Sequence, residues 1–168
     1  MTSDDQRSNV EKLLIAGIGN RLMGDDGFGP RVVDLLESIQ LPRNVELRDF
    51  GTAGLTIATN LSDYDVAIFL DSMSVEGDPG QLHQTEIIVE EDLDEISELS
   101  RFSIHEVGLE GLLKFAKAIG TLPSKVILIG CVPNVLQPSL DLSPMVAEAT
   151  HRAVDMVQDI IKKYSAED

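Results

Sequence analysis

Five short apolar runs punctuate the chain, and segments with helical spacing separate several of them. Leu13 to Ile18 is continuously apolar and ends in Gly19. A run apolar on both faces suits a strand buried in a parallel sheet. A polar, glycine-rich stretch follows: Gly19-Asn20-Arg21, then Gly24-Asp25-Asp26-Gly27. From Phe28 the period changes. Phe28, Val32, Leu35, Leu36 and Ile39 share one helical face, and Pro42 helps to stop that helix. Val45 to Phe50 predicts a second strand, after which Gly51-Thr52-Ala53-Gly54 turns the chain into a short helix through Leu61. Val66 to Leu70 predicts a third strand ending at Asp71, and Ser72 to Gly80 a loop. Leu82 to Val89 predicts a fourth strand whose mixed polarity marks a sheet edge.

Glu90 to Ser100 is acidic and predicts a solvated turn or short helix. Leu109, Leu112, Leu113, Ala116 and Ile119 stripe the next helix, which Gly120 and Pro123 end. Lys125 to Cys131 predicts the fifth strand, followed by a proline-containing loop from Val132 to Ser139. Ala149, Ala153, Met156, Val157, Ile160 and Ile161 line a long C-terminal helix. Strands alternating with helices predict an α/β fold, an α/β/α sandwich of three layers around one sheet. With 168 residues, no internal repeat and no linker, residues 1–168 read as a single domain with a core over about 12–164 and loose ends.

Composition narrows the function. Asp and Glu number 29 against 13 Lys and Arg, a formal net charge of -16. Such a surface repels phosphate backbones and anionic membranes, so no nucleic acid is expected as a partner. No apolar run is long enough to span a bilayer, and the polar N-terminus lacks a secretory signal, so a cytoplasmic protein is expected. One cysteine, Cys131, excludes an intramolecular disulfide and a multi-cysteine metal site.

The candidate chemistry sits at strand ends, where open α/β sheets place ligands. The first strand delivers Gly19, Asn20 and the pair Asp25-Asp26; the third delivers Asp71; His105 precedes a helix. A compact sheet brings Asp26, Asp71 and His105 to one edge. Two carboxylates and one imidazole suit zinc or nickel, and also iron or manganese. The bland readings are a helix cap for Asp25 or Asp26 and an Asx turn for Asp71. His83 and His151 lack companion carboxylates and read as structural. Cys131, at the end of an apolar strand, reads as a packing residue. Gly17-Ile18-Gly19 lacks the third glycine of a dinucleotide fingerprint and runs into two aspartates, which disfavours a nucleotide site, although Asp49 stands where a ribose-binding acid would. Ser72 and Ser103 lack the elbow of a serine hydrolase.

The segment Gly17-Ile18-Gly19-Asn20-Arg21-Leu22-Met23-Gly24-Asp25-Asp26-Gly27-Phe28-Gly29 resembles the opening signature of the [NiFe]-hydrogenase maturation endopeptidases. Asp49 with Gly51-Thr52-Ala53-Gly54, the strand ending in Asp71, the segment from Ser103 to Leu109 and Gly130-Cys131-Val132-Pro133 resemble further motifs of that family, in order. The resemblance implies a five-stranded, twisted, mostly parallel sheet with one antiparallel edge strand, matched to residues 82–89. It implies an endopeptidase that removes a C-terminal extension from a hydrogenase large-subunit precursor after nickel insertion. It further implies nickel carried by the substrate and met by Asp26, Asp71 and His105, the isolated site being empty or holding another divalent ion. Some relatives carry glutamate at the position of Asp26. Gly19 and Asn20 then shape the first loop, Gly51, Thr52 and Gly54 border the tail groove, and Asp49 orients a basic substrate residue. Nickel serves either as a Lewis acid or as a recognition handle. A monomer is expected. The rival readings are a non-catalytic chaperone for the precursor and a dinucleotide-binding protein.

Overall fold

A computed structural model describes residues 10–51, 54–88 and 109–165. Five strands build one sheet: β1 (Leu13–Ile18), β2 (Val45–Gly51), β3 (Val66–Ser72), β4 (Leu82–Ile88) and β5 (Lys125–Cys131). Their order is β2-β1-β3-β5-β4. β1 runs parallel to β2 and β3, and β3 runs parallel to β5. β4 closes one edge antiparallel to β5. This is the mostly parallel sheet with one reversed edge strand that the family resemblance implied.

The runs that are apolar on both faces occupy the middle of the sheet because both of their faces are covered. On one face, Leu13, Ile15, Ile68, Leu70, Ile127 and Ile129 pack against α1 (Phe28–Glu37) and α3 (Pro144–Ser165). On the other, Leu14, Ala16, Phe69 and Leu128 pack against α2 (Leu109–Ile119) and a 3₁₀ stretch over Gly54–Asp63. That stretch is 3₁₀ rather than α. The first helix ends at Glu37, short of its predicted face; the Ile39 amide bonds the Leu36 carbonyl at 3.1 Å in a closing turn. The acidic segment 90–100 lies outside the described residues.

Chain direction places the site. From β1 the chain crosses to β2 on one side, whereas β3 lies on the other, so the crevice at the carboxyl ends of β1 and β3 is a topological switch point. Gly29, in the first turn of α1, lets the helix sit against both strand ends: a Cβ there would lie 2.2 Å from the Leu70 carbonyl oxygen and 2.6 Å from that of Ile18. Any side chain at this position would push α1, and the loop that feeds it, away from the sheet.

Candidate active site

The loop leaving β1 folds back at Gly19, whose φ of 134° brings its backbone against Asp26; a Cβ there would lie 2.0 Å from the Asp26 carbonyl oxygen. A single 3₁₀ turn over Gly24–Gly27 then delivers Asp26 to the switch point. Asp26 is 4% exposed and Asp71, at the end of β3, is 1% exposed. The Asn20 amide donates to Asp26 Oδ2 at 2.8 Å. Asn20 also steadies the loop through its Oδ1, which accepts from the Leu22 amide at 2.9 Å.

Ser72 joins the two acids. Its hydroxyl donates to Asp26 Oδ1 at 2.9 Å, and its amide donates to Asp71 Oδ1 at 2.8 Å. In the sequence this serine stands out only as a candidate nucleophile, in a stretch that predicts a loop. In the fold it is the last residue of β3, paired with Cys131. Its signal was its place directly after Asp71, at the end of the most apolar strand. The amide bond to Asp71 reaches the adjacent residue, so the two-residue span of an Asx turn is not what it makes.

The structure thus brings Asp26 and Asp71 together, while His105 lies outside the described residues, as do Thr52 and Ser103. Among the described residues, no three His, Cys, Asp or Glu side chains cluster as a metal site. Two neighbouring buried carboxylates are hard oxygen donors, and a divalent cation would offset the cost of keeping both ionised away from water.

Asp25 corrects the capping expectation. Neither the 3₁₀ turn nor α1 carries a side-chain cap at its start. The fully buried Asp25 carboxylate instead reaches the distant loop before α3. Oδ2 accepts from the amides of Asn134 and Val135 at 2.8 and 2.7 Å, and from the Ser143 hydroxyl at 2.8 Å. Oδ1 accepts from the Ser143 amide at 2.7 Å, at the threshold of α3, where a negative charge favours the helix dipole.

Asp49 and Arg21 form the rim. Asp49 Oδ2 accepts from Arg21 Nε at 3.0 Å and Nη2 at 2.7 Å, and its Oδ1 accepts from the Gly51 amide at 2.9 Å. Arg21 also forks onto Asp34, with contacts of 2.6 and 2.8 Å. That guanidinium holds the Asp34 carboxyl below the usual range. Gly51 adopts φ 51° and accepts the Gly19 amide at 2.9 Å, closing the end of β1 onto β2. Gly54 begins the 3₁₀ stretch beyond it.

Cys131 is fully buried, in keeping with its reading as a packing residue. Burial pushes its thiol up to about 12, and the Asp25 charge adds to the rise while Arg152 opposes it. A thiol with a raised folded-state pKa holds its proton more tightly in the native form. Its contribution is therefore full below about 8.5, the unfolded value, and is lost as pH climbs through the folded value. Native protein at pH 7 is expected to leave Cys131 unlabelled by a maleimide, with labelling only on unfolding; rapid native labelling would overturn the buried assignment. His83 stands on β4 opposite Gly130, which pairs with Asp71, and its buried Nε2 has no hydrogen-bond partner among the described residues. No helix among the described residues is long and apolar enough to cross a membrane.

Comparison with known proteins adds to this geometry. A family model described as hydrogenase maturation protease matches residues 30–160. The hydrogenase 2 maturation protease of Escherichia coli is 30% identical over 158 residues, covering 93% of this chain and 94% of the relative. A crystal structure of a hydrogenase 2 maturation peptidase from a Thaumarchaeota archaeon is 58% identical, with a TM-score of 0.72 over 90% of this chain and 98% of that one. The maturating endopeptidase HybD of Escherichia coli superposes with a TM-score of 0.79 at 29% identity, covering 90% of this chain and 93% of its own.

Proposed function

The chain belongs to the hydrogenase maturation protease family and is a peptidase, and on that footing we propose that it cuts the C-terminal extension from a [NiFe]-hydrogenase large-subunit precursor once nickel is in place. The observation that carries this reading is the pair of buried carboxylates, Asp26 and Asp71, tied through Ser72 beside the carboxyl ends of β1 and β3. Nickel enters as part of the substrate, and His105 completes the protein's donor set.

In this reading the precursor presents its metal and its tail together. Asp26 and Asp71 meet the metal from fixed positions, because the Asn20 amide and Ser72 hold the Asp26 carboxylate and the Ser72 amide holds that of Asp71. Fixed carboxylates need little rearrangement on binding, which favours a single productive pose of the adjacent peptide bond. Buried carboxylates also give a reason for the timing. A precursor without its cation brings nothing to balance two negative charges, whereas a loaded one does. The enzyme works as a single chain on a folded precursor in the cytoplasm. At the rim, a basic side chain near the cut bond pairs with Asp49 by sharing or displacing Arg21.

Intact-mass measurement of the precursor tests this. Mixed with the peptidase, the nickel-loaded precursor is expected to lose one C-terminal fragment, and the nickel-free precursor to keep its full mass. Equal cutting of both forms would remove the metal gate. A stable complex with no change in mass would turn the reading towards a chaperone for the precursor.

A further inference from the structure

A groove of about 200 Å3 opens beside the Gly24–Gly27 turn, lined by Arg21, Gly24, Gly27, Arg31, Leu140 and Leu142. Gly27 follows Asp26 directly, so the groove begins one residue from the buried carboxylates. One wall is apolar and unusually open: Leu140 is 71% exposed. Leu22, 61% exposed, stands on the segment that borders this loop, its carbonyl accepting from the Ser139 amide at 2.9 Å. That wall is held by the backbone. Gly24 bonds Ser139 at 3.0 Å, and the Asp25 carboxylate anchors the same loop at both ends.

The two arginines differ. Arg21 is committed to Asp34 and Asp49. Arg31 makes no hydrogen bond or ion pair among the described residues and acts on Asp34 only through space. A lone surface arginine is ordinary. A cation without a partner, beside a preorganised apolar wall and next to the reacting end of the sheet, is a composite that suits a ligand with both characters. On a chain of net charge -16, an exposed cation of this kind favours an acidic group at its own position.

We propose that this groove binds the first residues of the precursor's extension beyond the cut bond, seating an apolar side chain on Leu140 and Leu142 and an acidic side chain on Arg31. The proposal rests on the maturation reading above and names the part of the substrate that its site grips. Arg31 touches substrate in binding but not the reacting atoms, so its loss moves affinity more than turnover.

Arg31→Gln and Arg31→Glu are measured on nickel-loaded precursor. Arg31→Gln is expected to raise KM about fivefold, the scale of a partly exposed ion pair, with kcat nearly unchanged, and Arg31→Glu is expected to raise it further. One lysine, placed in turn at each acidic residue of the extension, is expected to restore KM for Arg31→Glu. Direct binding of full-length precursor, followed by interferometry, is read in parallel. If wild-type enzyme binds but does not cut, and the charge reversal still rescues binding, the groove stands and the protease reading of this substrate fails. If cutting proceeds and neither variant moves KM, or no lysine rescues, the groove assignment is overturned. Sedimentation closes the remaining case: a dimer that Leu140→Gln dissolves would make this face a self-interface and overturn the proposal.

Discussion

A nickel-loaded precursor is expected to stay at full length when asparagine replaces Asp71, with the processing rate lower by at least about 100-fold. That is the scale on which loss of a contact that positions the reacting groups acts. Asparagine keeps the size and one acceptor oxygen, so the Ser72 amide retains its bond. What disappears is the negative charge, 1% exposed, at the end of β3. Asp26→Asn is expected to behave alike, because its carboxylate is held from the other side by Ser72 and by the Asn20 amide. Both variants should unfold in urea near the wild-type midpoint, since removing one of two neighbouring buried charges relieves a desolvation cost. Ser72→Ala grades the series. It deletes one charge-assisted hydrogen bond to Asp26 and leaves the amide bond to Asp71, so a loss of about tenfold is expected. Wild-type rates from both asparagine variants would separate these acids from the reaction and leave the fold assignment untouched.

The parts of this architecture legible in the sequence are those set by local pattern. Leu13–Ile18, Val66–Leu70 and Lys125–Cys131 are apolar on both faces because helices cover both sides of the sheet at β1, β3 and β5. Open sheets of this kind bind ligands at the carboxyl ends of such strands, which singles out Asp26 and Asp71 in the sequence. Strand direction was less accessible. Nothing in Leu82–Ile88 fixes β4 as antiparallel, and that expectation came from the family resemblance. Ser72 was missed because its two bonds depend on where β3 stops relative to the first loop. Asp25 was misread for the same kind of reason. Its partners lie 109, 110 and 118 positions away, so no local rule could connect them, while the nearest helix start offered a plausible local explanation. Arg21 is similar: its clamp joins α1 to the end of β2 across 13 and 28 positions.

Asp25 carries the largest expected cost in stability. Asp25→Ala takes the acceptor from three backbone amides and one hydroxyl at once. Each donor left unpaired in a buried setting costs about 1–3 kcal/mol, and water entering the vacated space recovers part of that. A net loss of about 3–5 kcal/mol is expected, read as a lower urea midpoint at an unchanged slope. Asp25→Asn should recover little, because its amide group turns a donor towards donors and it brings no charge to the start of α3. Asp34→Ala is the contrasting control. Its carboxylate also meets a strong partner, Arg21, but in an exposed pair, so its removal should shift the midpoint hardly at all. Asp34 is more exposed and accepts only two bonds, both from Arg21, so the comparison sets a buried carboxylate with four donors against an exposed ion pair. If Asp25→Ala unfolds like the control, the loop 134–143 is held by its other contacts. If it unfolds early, the loop that carries Leu140 depends on an acid from the opposite end of the chain, and precursor KM should rise in any Asp25 variant that still folds.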